Sequence, residues 1–238
     1  MPAAEPHMML TPDMTLRLSI VMPTLDEAAS IAATLRALQP LRELGHELIV
    51  VDGGSRDSTP TLCQGLADQV LSTPRGRARQ MNAGAAASQH EVLLFLHADT
   101  LLPANADVVV GRALGQGAAW GRFDVRIDGR SRMFPLIAAL MNARSRCTGI
   151  ATGDQALFVR RAAFERVGGF PDQPLMEDVE LSRRLRAVAA PACLRERVLT
   201  SGRRWERHGV WHTIFLMWRL RWRYWRGASP EVLARAWR

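Results

Sequence analysis

The chain has 238 residues, of which 47% are hydrophobic and 23% charged. This length suits one ordinary domain, and the composition excludes disordered, collagen-like and coiled-coil proteins. The longest apolar runs, such as 92–96 and 214–218, are far shorter than the roughly 20 residues of a membrane-spanning helix. Residues 1–15 have neither a basic start nor an apolar stretch of signal-peptide length, so we expect a loose tail and a cytoplasmic protein.

The net charge of +8 is unevenly distributed along the chain. Residues 183–238 contain 14 Arg and 3 Glu, whereas residues 1–182 contain 17 Arg and 20 acids. Six of the seven Trp follow residue 204. We therefore expect the tail over 1–15, a folded domain over 16–205 and a basic, Trp-rich helical arm over 206–238.

Unbroken apolar runs alternate with helical patterns in the first hundred residues. The predicted strands cover 18–22, 47–51, 69–72 and 92–96. The first predicted helix follows Asp26, which we expect to cap it, and two further helices cover 58–67 and 77–88. Such alternation is typical of a parallel sheet flanked by helices, so the predicted fold class is α/β. Three widely spaced cysteines, Cys63, Cys147 and Cys193, predict reduced, buried thiols.

Polar side chains collect where three of the predicted strands end. Thr24, Asp26 and Glu27 follow the first strand, Asp52, Ser55 and Asp57 the second, and His97 and Asp99 the fourth. Ligands of such sheets bind at the carboxyl ends of the strands, and clustered carboxylates need a cationic or polar partner. The sequence lacks both the GK[ST] ending of a phosphate loop and the GxGxxG dinucleotide motif.

Five short motifs carry a family resemblance. They are PTLDE (23–27), VDGGSRDST (51–59), HAD (97–99), GDQ (153–155) and ED (177–178). In this order they resemble the family-2 glycosyltransferases of the Rossmann-like GT-A fold, over about residues 16–205. The strings FLHADT and RRWERHG are most similar to a small bacterial subgroup associated with radical-SAM or selenium-related genes. Some relatives in that subgroup are named as carotenoid-acid glycosyltransferases.

The resemblance implies an inverting transferase that uses a nucleotide-diphosphate sugar, usually a UDP-sugar, and Mg²⁺ or Mn²⁺. The acceptor is expected to be a hydroxyl or carboxyl compound, including lipophilic ones. The implied donor-binding residues are Pro23, Thr24, Glu27, Asp52, Arg75, Asp99 and Arg204. The implied metal ligands are Asp99, His97, which replaces the first Asp of the family's DXD element, and His208.

The acceptor side is expected to involve Gly153, Asp154, Gln155 and Trp205. A carboxylate there removes the acceptor proton as it attacks the sugar. Asp178 is the predicted base and Glu177 the next candidate, both at the start of a helix after the GGFP turn.

Structural alternatives remain for several of these residues. Glu27 is also explained by a favourable helix dipole, Asp57 by helix capping and Asp99 by an Asx turn. Arg77 and Arg79 are also explained as solvated helix charges. At the level of function, the alternatives are a nucleotidyltransferase of similar architecture and a non-catalytic protein that binds nucleotide-sugars or nucleic acid. Nucleic acid is disfavoured, because the acidic strand ends would repel its phosphates.

The arm predicts one amphipathic helix over about 210–226. Its first apolar strip consists of Trp211, Ile214, Phe215, Trp218, Trp222 and Trp225, and the opposite strip of Leu216, Leu220 and Tyr224. One strip can pack on the domain while the Trp strip, flanked by Arg, contacts an anionic bilayer at the inner face of the cell membrane. A homodimer interface or core packing is the alternative.

Overall fold

Eight strands form one mixed sheet in the computed structural model, which describes residues 16–237. The predicted tail over residues 1–15 lies outside the described residues. The strands are β1 (Leu18–Thr24), β2 (Glu47–Asp52), β3 (Gln69–Ser72), β4 (Val92–Phe95), β5 (Thr100–Leu101), β6 (Trp120–Asp128), β7 (Leu157–Arg160) and β8 (Ala192–Ser201). Their spatial order is β3-β2-β1-β4-β7-β6-β8-β5.

The two halves of the sheet differ in strand direction. β1 pairs in parallel with β2 and β4, and β2 with β3, which confirms the parallel half predicted from the sequence. In the other half, β7 is antiparallel to β4 and β6, β8 is parallel to β6, and β5 is antiparallel to β8. Within residues 16–237, four of the seven strand pairs are parallel, so the sheet is mixed, and it is parallel throughout only in the first four strands.

Helices cover both faces of the sheet. They are α1 (Ile31–Ala37), α2 (Gln39–Glu43), α3 (Thr59–Cys63), α4 (Arg77–Ala87), α5 (Ala106–Gly115), α6 (Phe134–Thr148), α7 (Arg161–Arg166), α8 (Glu177–Arg186), α9 (Arg203–His208), α10 (Val210–Trp225) and α11 (Pro230–Trp237), with a 3₁₀ turn at Gly153–Gln155. α3 is shorter than the predicted 58–67 because Gln64 is extended and Gly65 has a left-handed φ of 76°. Within residues 16–237, no helix has both the length and the apolar character needed to cross a bilayer.

Two hydrophobic clusters, one on each face, hold the layers together. In β1, Leu18, Ile20 and Met22 point into the cluster shared with α1, α5 and α6. Val21 points into the other cluster, with α4, α7 and α8. This alternation follows from the two-residue period of a strand, and burial on both faces explains why the run is continuously apolar.

The cysteines are not all buried as expected. Cys63 is buried, and burial raises the pKa of its thiol to about 11. Cys147 is exposed and Cys193 is half-buried. Cys147 lies outside the buried face of α6, which runs through Phe134, Ile137 and Met141.

Candidate active site

The carboxyl ends of β1 and β2 form one hydrogen-bonded platform. Thr24 and Asp52 are register partners across the two strands, and both side chains are buried. Asp52 Oδ2 accepts hydrogen bonds from the backbone N–H groups of Gly54 and Ser55, both at 2.9 Å. The Gln80 amide donates to the carbonyl oxygens of Thr24 and Val51, both at 2.8 Å. Thr24 and Asp52 are thus brought together in a fixed arrangement, with the partly exposed Pro23 beside them.

Asp26 is not a helix cap, contrary to the expectation. α1 begins at Ile31, and the Asp26 backbone has a left-handed φ of 53°. The Asp26 carboxylate accepts a hydrogen bond from the Arg56 N–H at 2.8 Å, and its own N–H donates to Ser55 Oγ at 2.9 Å. Asp26 therefore joins the loop after β1 to the loop after β2. Asp57 behaves as the capping alternative predicts, since Oδ1 accepts from the Thr59 N–H at the start of α3.

Two predicted site carboxylates converge on one guanidinium. Arg203 Nη2 lies 2.8 Å from Glu27 Oε2 and 3.3 Å from Asp99 Oδ2. Both carboxylates are about a quarter exposed, so solvent and ligands can reach them. Two carboxylates facing one cation form an oxygen donor set that suits Mg²⁺ or Mn²⁺. Glu27 and Asp99 could therefore hold a divalent metal together, although the Arg203 guanidinium occupies the position between them in this structure.

The two histidines do not join this carboxylate pair. His97 Nδ1 lies 3.4 Å from Asp154 Oδ1, so its imidazole faces the 3₁₀ turn. His208 is exposed on α9 and lines a surface cavity together with Arg204 and His212. Among the described residues, no three His, Cys, Asp or Glu side chains form a metal-binding cluster. The expected metal site of His97, Asp99 and His208 is therefore not formed. His97 faces Asp154, Asp99 faces Arg203, and His208 lines the surface cavity.

A second charged group lies around the start of α8. Glu177 is only 2% exposed, and its Oε1 lies 3.3 Å from Arg77 Nη1 on α4. Asp178 Oδ2 accepts a hydrogen bond from the Gly153 N–H at 2.8 Å. Arg77, His97, Gly153, Glu177 and Asp178 line one small cavity. Glu177 and Asp178, the two candidate catalytic bases, therefore lie beside the GDQ motif, although Gln155 and Glu177 are 22 positions apart in the chain.

Burial and charge act oppositely on the acids of this group. Burial raises the pKa of Glu177 above its ordinary value of 4.5, and the attraction of Arg77 offsets only part of that effect. Burial also opposes ionisation of Asp154, but its hydrogen bond to His97 and the charges of Arg77 and Arg221 hold its pKa below the usual range. A carboxyl with a raised pKa next to an ionised one is an arrangement typical of acid–base sites.

The 3₁₀ turn and His97 pack so closely that only glycine fits at position 153. A Cβ on Gly153 would lie 2.2 Å from His97 Nε2. Gln155 is fully buried, and its Oε1 accepts a hydrogen bond from the Thr152 N–H at 3.2 Å. The GDQ motif therefore shapes the turn: Gly153 makes room for His97, and Gln155 holds the start of the turn.

Within residues 16–237, the remaining predicted residues form no ion pair or hydrogen bond with either charged group. Arg75 is exposed on the loop before α4. The Arg204 guanidinium stacks on the Trp237 ring at 3.4 Å and donates to the Trp237 carbonyl at 2.8 Å. Trp205 is half-buried against the core cluster of α1, α5 and α6. Neither Arg204 nor Trp205 presents its side chain to the carboxylates in this structure.

Backbone strain is concentrated at the site. Within residues 16–237, the non-glycine residues with positive φ are Asp26 at 53°, Ala156 at 44° and Met176 at 65°. Asp26 directly precedes Glu27, Ala156 directly follows Gln155, and Met176 directly precedes Glu177. Left-handed backbone costs a non-glycine residue about 1–2 kcal/mol, and such residues are concentrated at functional sites.

Three site residues were missed or left undecided by sequence reasoning. Arg203, rather than its neighbour Arg204, reaches Glu27 and Asp99. Arg77, whose side chain is half exposed, is also the ion-pair partner of Glu177. Gln80 bridges two strand ends. The sequence motif alone does not show which of the adjacent residues Arg203 and Arg204 faces Glu27 and Asp99. The orientation of α9 in the structure decides this.

The sequence profile of glycosyl transferase family 2 matches residues 19–168, well over half of the chain. The chain belongs to glycosyl transferase family 2. The matched segment contains both strand-end loops, His97, Asp99 and the GDQ turn of this family-2 glycosyltransferase. A curated relative, the undecaprenyl-phosphate 4-deoxy-4-formamido-L-arabinose transferase of Pseudomonas paraeruginosa, is 30% identical over 156 residues. The match covers 60% of this chain and 45% of the relative, so the chain spans less than half of that protein.

Solved structures of glycosyltransferases share the fold. Residues 1–349 of Staphylococcus aureus TarS, in complex with UDP, superpose with a TM-score of 0.63 at 16% identity, over 78% of this chain and 60% of that TarS segment. The mannosyltransferase PcManGT of Pyrobaculum calidifontis, in complex with GDP-Man and Mn²⁺, superposes with a TM-score of 0.63 at 21% identity, over 95% of this chain and 70% of PcManGT. Glucosyl-3-phosphoglycerate synthase of Mycobacterium tuberculosis superposes with a TM-score of 0.54 at 22% identity, over 76% of this chain and 70% of the synthase. These similarities show the GT-A fold for the family-2 glycosyltransferase.

Proposed function

We propose that this family-2 glycosyltransferase moves a sugar, with inversion, from a nucleotide-diphosphate donor to an acceptor hydroxyl or carboxyl group. One observation carries the proposal: two separate carboxylate groups stand at the same edge of the sheet. Glu27 and Asp99 face a cation, and Glu177 and Asp178 line a cavity. The first group suits the charge of a donor diphosphate with its metal, and the second suits proton removal from an acceptor.

On the donor side, Thr24 and Asp52 would bind the nucleoside, with UDP as the first nucleotide to test. Asp99 and Glu27 would hold Mg²⁺ or Mn²⁺, which stabilises the charge of the leaving diphosphate when bound. Such ions keep water and substrate phosphates as further ligands, so one or two carboxylates suffice. Arg203 already pairs with both carboxylates, offsetting one of their two charges, and would remain beside the diphosphate. Structural neighbours bind UDP, and one of them binds UDP together with Mn²⁺, which supports this choice.

On the acceptor side, Asp178 would take the acceptor proton as the acceptor oxygen attacks the anomeric carbon from the face opposite the diphosphate. The Gly153 N–H orients one Asp178 oxygen. Asp154 is held by His97, and Glu177 by Arg77, so both have fixed positions next to Asp178. Glu177 is the alternative base.

The outer face of α10 would contact an anionic membrane surface. Five large aromatic side chains on this helix are 58–80% exposed: Trp211, Phe215, Trp218, Trp222 and Trp225. α10 has no acid, and its Arg219 is exposed and Arg223 half-buried, so the charge of this helix complements anionic lipid headgroups. Its other side is attached to the domain through the buried Leu220 and through Tyr224, whose Oη accepts a hydrogen bond from Gln173 at 3.4 Å. This contact would place the enzyme at the inner face of the cell membrane, near lipophilic acceptors.

Calorimetric titration of UDP with and without Mn²⁺ tests the donor site. We expect metal-dependent binding to wild type and an affinity loss of about tenfold or more in Asp99→Ala. Glu43→Ala is the matched control, because Glu43 is an exposed acid on α2 near the opposite edge of the sheet. Binding of GDP but not UDP would change the assigned nucleobase of the donor. Failure of all nucleoside diphosphates to bind would contradict the proposal.

The base assignment is tested once a donor sugar is found. Asp178→Asn is expected to lower turnover about 10²–10⁴-fold while leaving the UDP dissociation constant unchanged. A larger loss in Glu177→Gln than in Asp178→Asn would reverse the two roles.

A further inference from the structure

A second cavity, of about 120 Å³, lies among the three C-terminal helices α9, α10 and α11. It shares no lining residue with the cavity at the start of α8. Among residues 16–237, no acid lines it. Its wall combines two arginines and two histidines with apolar surface: Arg204, His208, His212, Arg219, Leu216 and Trp237.

The Arg204 guanidinium is fixed at the wall of this cavity. Its Cζ lies 3.4 Å from the centroid of the Trp237 ring, and its Nη2 donates to the Trp237 carbonyl oxygen at 2.8 Å. Stacking occupies the face of a guanidinium and leaves its in-plane N–H groups available, so Nε and Nη1 can still donate. Burial lowers the pKa of Arg204, and the charges of Arg77 and Asp154 act on it in opposite directions. This guanidinium is therefore partly desolvated and already ordered, which favours binding of an anion.

The positive charge of the cavity is not paired within the part of the chain that the structure describes. Arg204 and Arg219 form no ion pair among residues 16–237. Glu206, the acid of α9, is engaged elsewhere, because its Oε1 accepts the Arg130 N–H at 2.7 Å. Arg219 and both histidines are exposed, so a ligand can reach them from solvent. The cavity is thus an accessible cationic site.

The position of the cavity relates it to the exposed aromatic side chains of α10. His212 directly follows Trp211, and Arg219 directly follows Trp218. Successive residues of a helix are turned by about 100°, so these cavity residues flank the aromatic face of α10. Trp211 and Trp218 are 62% and 64% exposed. When these rings enter the headgroup region of a bilayer, the cavity lies at the level of the headgroup phosphates.

We propose that this cavity binds the phosphate group of an anionic membrane lipid. Arg204 and Arg219 would supply the charged donors, and each histidine carries at least one further ring N–H. Guanidinium groups bind phosphate through paired, charge-assisted hydrogen bonds. The apolar part of the wall would contact the glycerol and the first carbons of the chains. This inference rests on the membrane contact of the proposed function and names the lipid group that the arm recognises.

Titration of the full chain with dihexanoyl phosphatidylglycerol, below its micelle-forming concentration and followed by ³¹P NMR, tests the site without a bilayer. We expect wild type to bind this lipid, and Arg204→Gln and Arg219→Gln to bind it about tenfold or more weakly. Arg219→Gln is expected to keep the Tm of wild type, because the side chain is exposed and forms no ion pair among residues 16–237. Arg207→Gln is the matched control and should bind as wild type does, since Arg207 is an exposed arginine of α9 outside the cavity wall.

Two further ligands identify what the cavity recognises. Inorganic phosphate is expected to bind more weakly than the lipid, because it lacks the apolar contacts. Dihexanoyl phosphatidylcholine is also expected to bind more weakly, because the arginines repel its choline cation. Tighter binding of inorganic phosphate would show a site for free phosphate, and equal binding of the choline lipid would show that only the chains are bound. Either result, or equal lipid binding by Arg219→Gln and wild type, would overturn the proposal.

Competition with UDP separates this cavity from the donor site. We expect UDP with Mn²⁺ to leave lipid binding unchanged, and Arg219→Gln to bind UDP as wild type does. Displacement of the lipid by UDP would assign the cavity to the donor diphosphate and contradict the proposal. Failure of wild type to bind UDP would count against the proposed function alone, because lipid binding is measured without a donor.

The aromatic face is tested as an alternative binding surface. Trp218→Ser with Trp222→Ser should retain binding of the soluble lipid, since neither ring lines the cavity. Loss of that binding would assign the lipid to the aromatic side chains and contradict the proposal. Binding of the soluble lipid without flotation of wild type on vesicles would count against the membrane contact of the proposed function alone.

Discussion

Burial and ion pairing act on the Glu177 carboxyl in opposite directions, and burial is the stronger effect. The side chain is 2% exposed, and its pKa is raised above 4.5 despite Arg77. In the unfolded chain this acid returns to its ordinary pKa. Between the two pKa values the folded state binds more protons than the unfolded state, so this group makes the protein less stable as pH rises.

Glu177→Gln removes this pH dependence. We expect the free energy of unfolding of the variant, relative to wild type, to increase from pH 4 upward and to level off above the raised pKa of Glu177. The slope is at most about 1.4 kcal/mol per pH unit. Urea denaturation at pH 4–8 measures this difference. Glu165→Gln, at an exposed site on α7, is the control and should give a difference that does not change with pH; a decreasing difference for Glu177→Gln would contradict the prediction.

At the residue scale, the sequence identified the right acids more readily than their partners. His97 and Asp99 are two residues apart, and the HAD motif suggests one shared metal site. In the structure, His97 faces Asp154 while Asp99 faces Arg203. Residues 154 and 203 are far from this motif in the chain, so only the folded arrangement determines which partner each side chain meets.

At the scale of elements, α4 depends on a small residue where it crosses the sheet. A Cβ on Gly84 would lie 2.3 Å from Val21 Cγ1 and 3.0 Å from Val51 Cγ2. The helix therefore approaches β1 and β2 more closely than any side chain at position 84 would permit. The same helix carries Arg77 and Gln80, so its close approach also positions part of the site.

Gly84→Ala is expected to destabilise the protein by about 1–3 kcal/mol, because the added methyl group overpacks the α4–β1 contact. Helix propensity alone predicts the opposite, a gain of up to about 1 kcal/mol. Gly115→Ala is the matched control: Gly115 is the last residue of α5, and a Cβ there would have no neighbour within 4 Å. Urea denaturation compares the two, and equal effects at both positions would rule out close packing at Gly84.

Buried charge explains why the second half of the sheet was not predicted. β6 has the sequence WGRFDVRID, in which Arg122 and Asp124 interrupt the apolar run. Both are buried, with Arg122 bound to Asp124 and Arg146 Nη2 2.6 Å from Asp124 Oδ2. Arg146 belongs to α6, so the Arg146–Asp124 ion pair, unlike Arg122–Asp124 within the strand, exists only after the helix has docked.

At the scale of the whole molecule, the charge division sets the orientation that we propose on a membrane. Residues 1–182 are acidic by three charges, whereas residues 183–238 are basic by eleven. An anionic surface would attract the α10 side of the molecule and repel the rest. The exposed aromatic side chains of α10 would then enter the headgroup region.

Vesicle flotation tests this orientation. Wild type is expected to float with phosphatidylglycerol vesicles, to float less with phosphatidylcholine, and to lose binding as salt is raised. Trp218→Ser with Trp222→Ser should lose most of the binding. Leu136→Ser with Leu140→Ser, which alters exposed leucines on α6, is the control and should bind as wild type does. No flotation of wild type, together with a dimer in sedimentation, would assign the same face to self-association.

The sequence by itself determined the α/β class, the four parallel strands, the carboxylates at their ends and the family, because each depends on local periodicity or on short contiguous motifs. The tertiary structure decided the second half of the sheet, the pairing of Arg203 with Glu27 and Asp99, and the burial of Glu177 against Arg77. It also decided that the buried Nε and Nη2 of Arg144 have no hydrogen-bond partner among residues 16–237. The physical reason is that desolvation and Coulomb attraction depend on distances between side chains far apart in the chain, which are fixed only when the helices pack on the sheet.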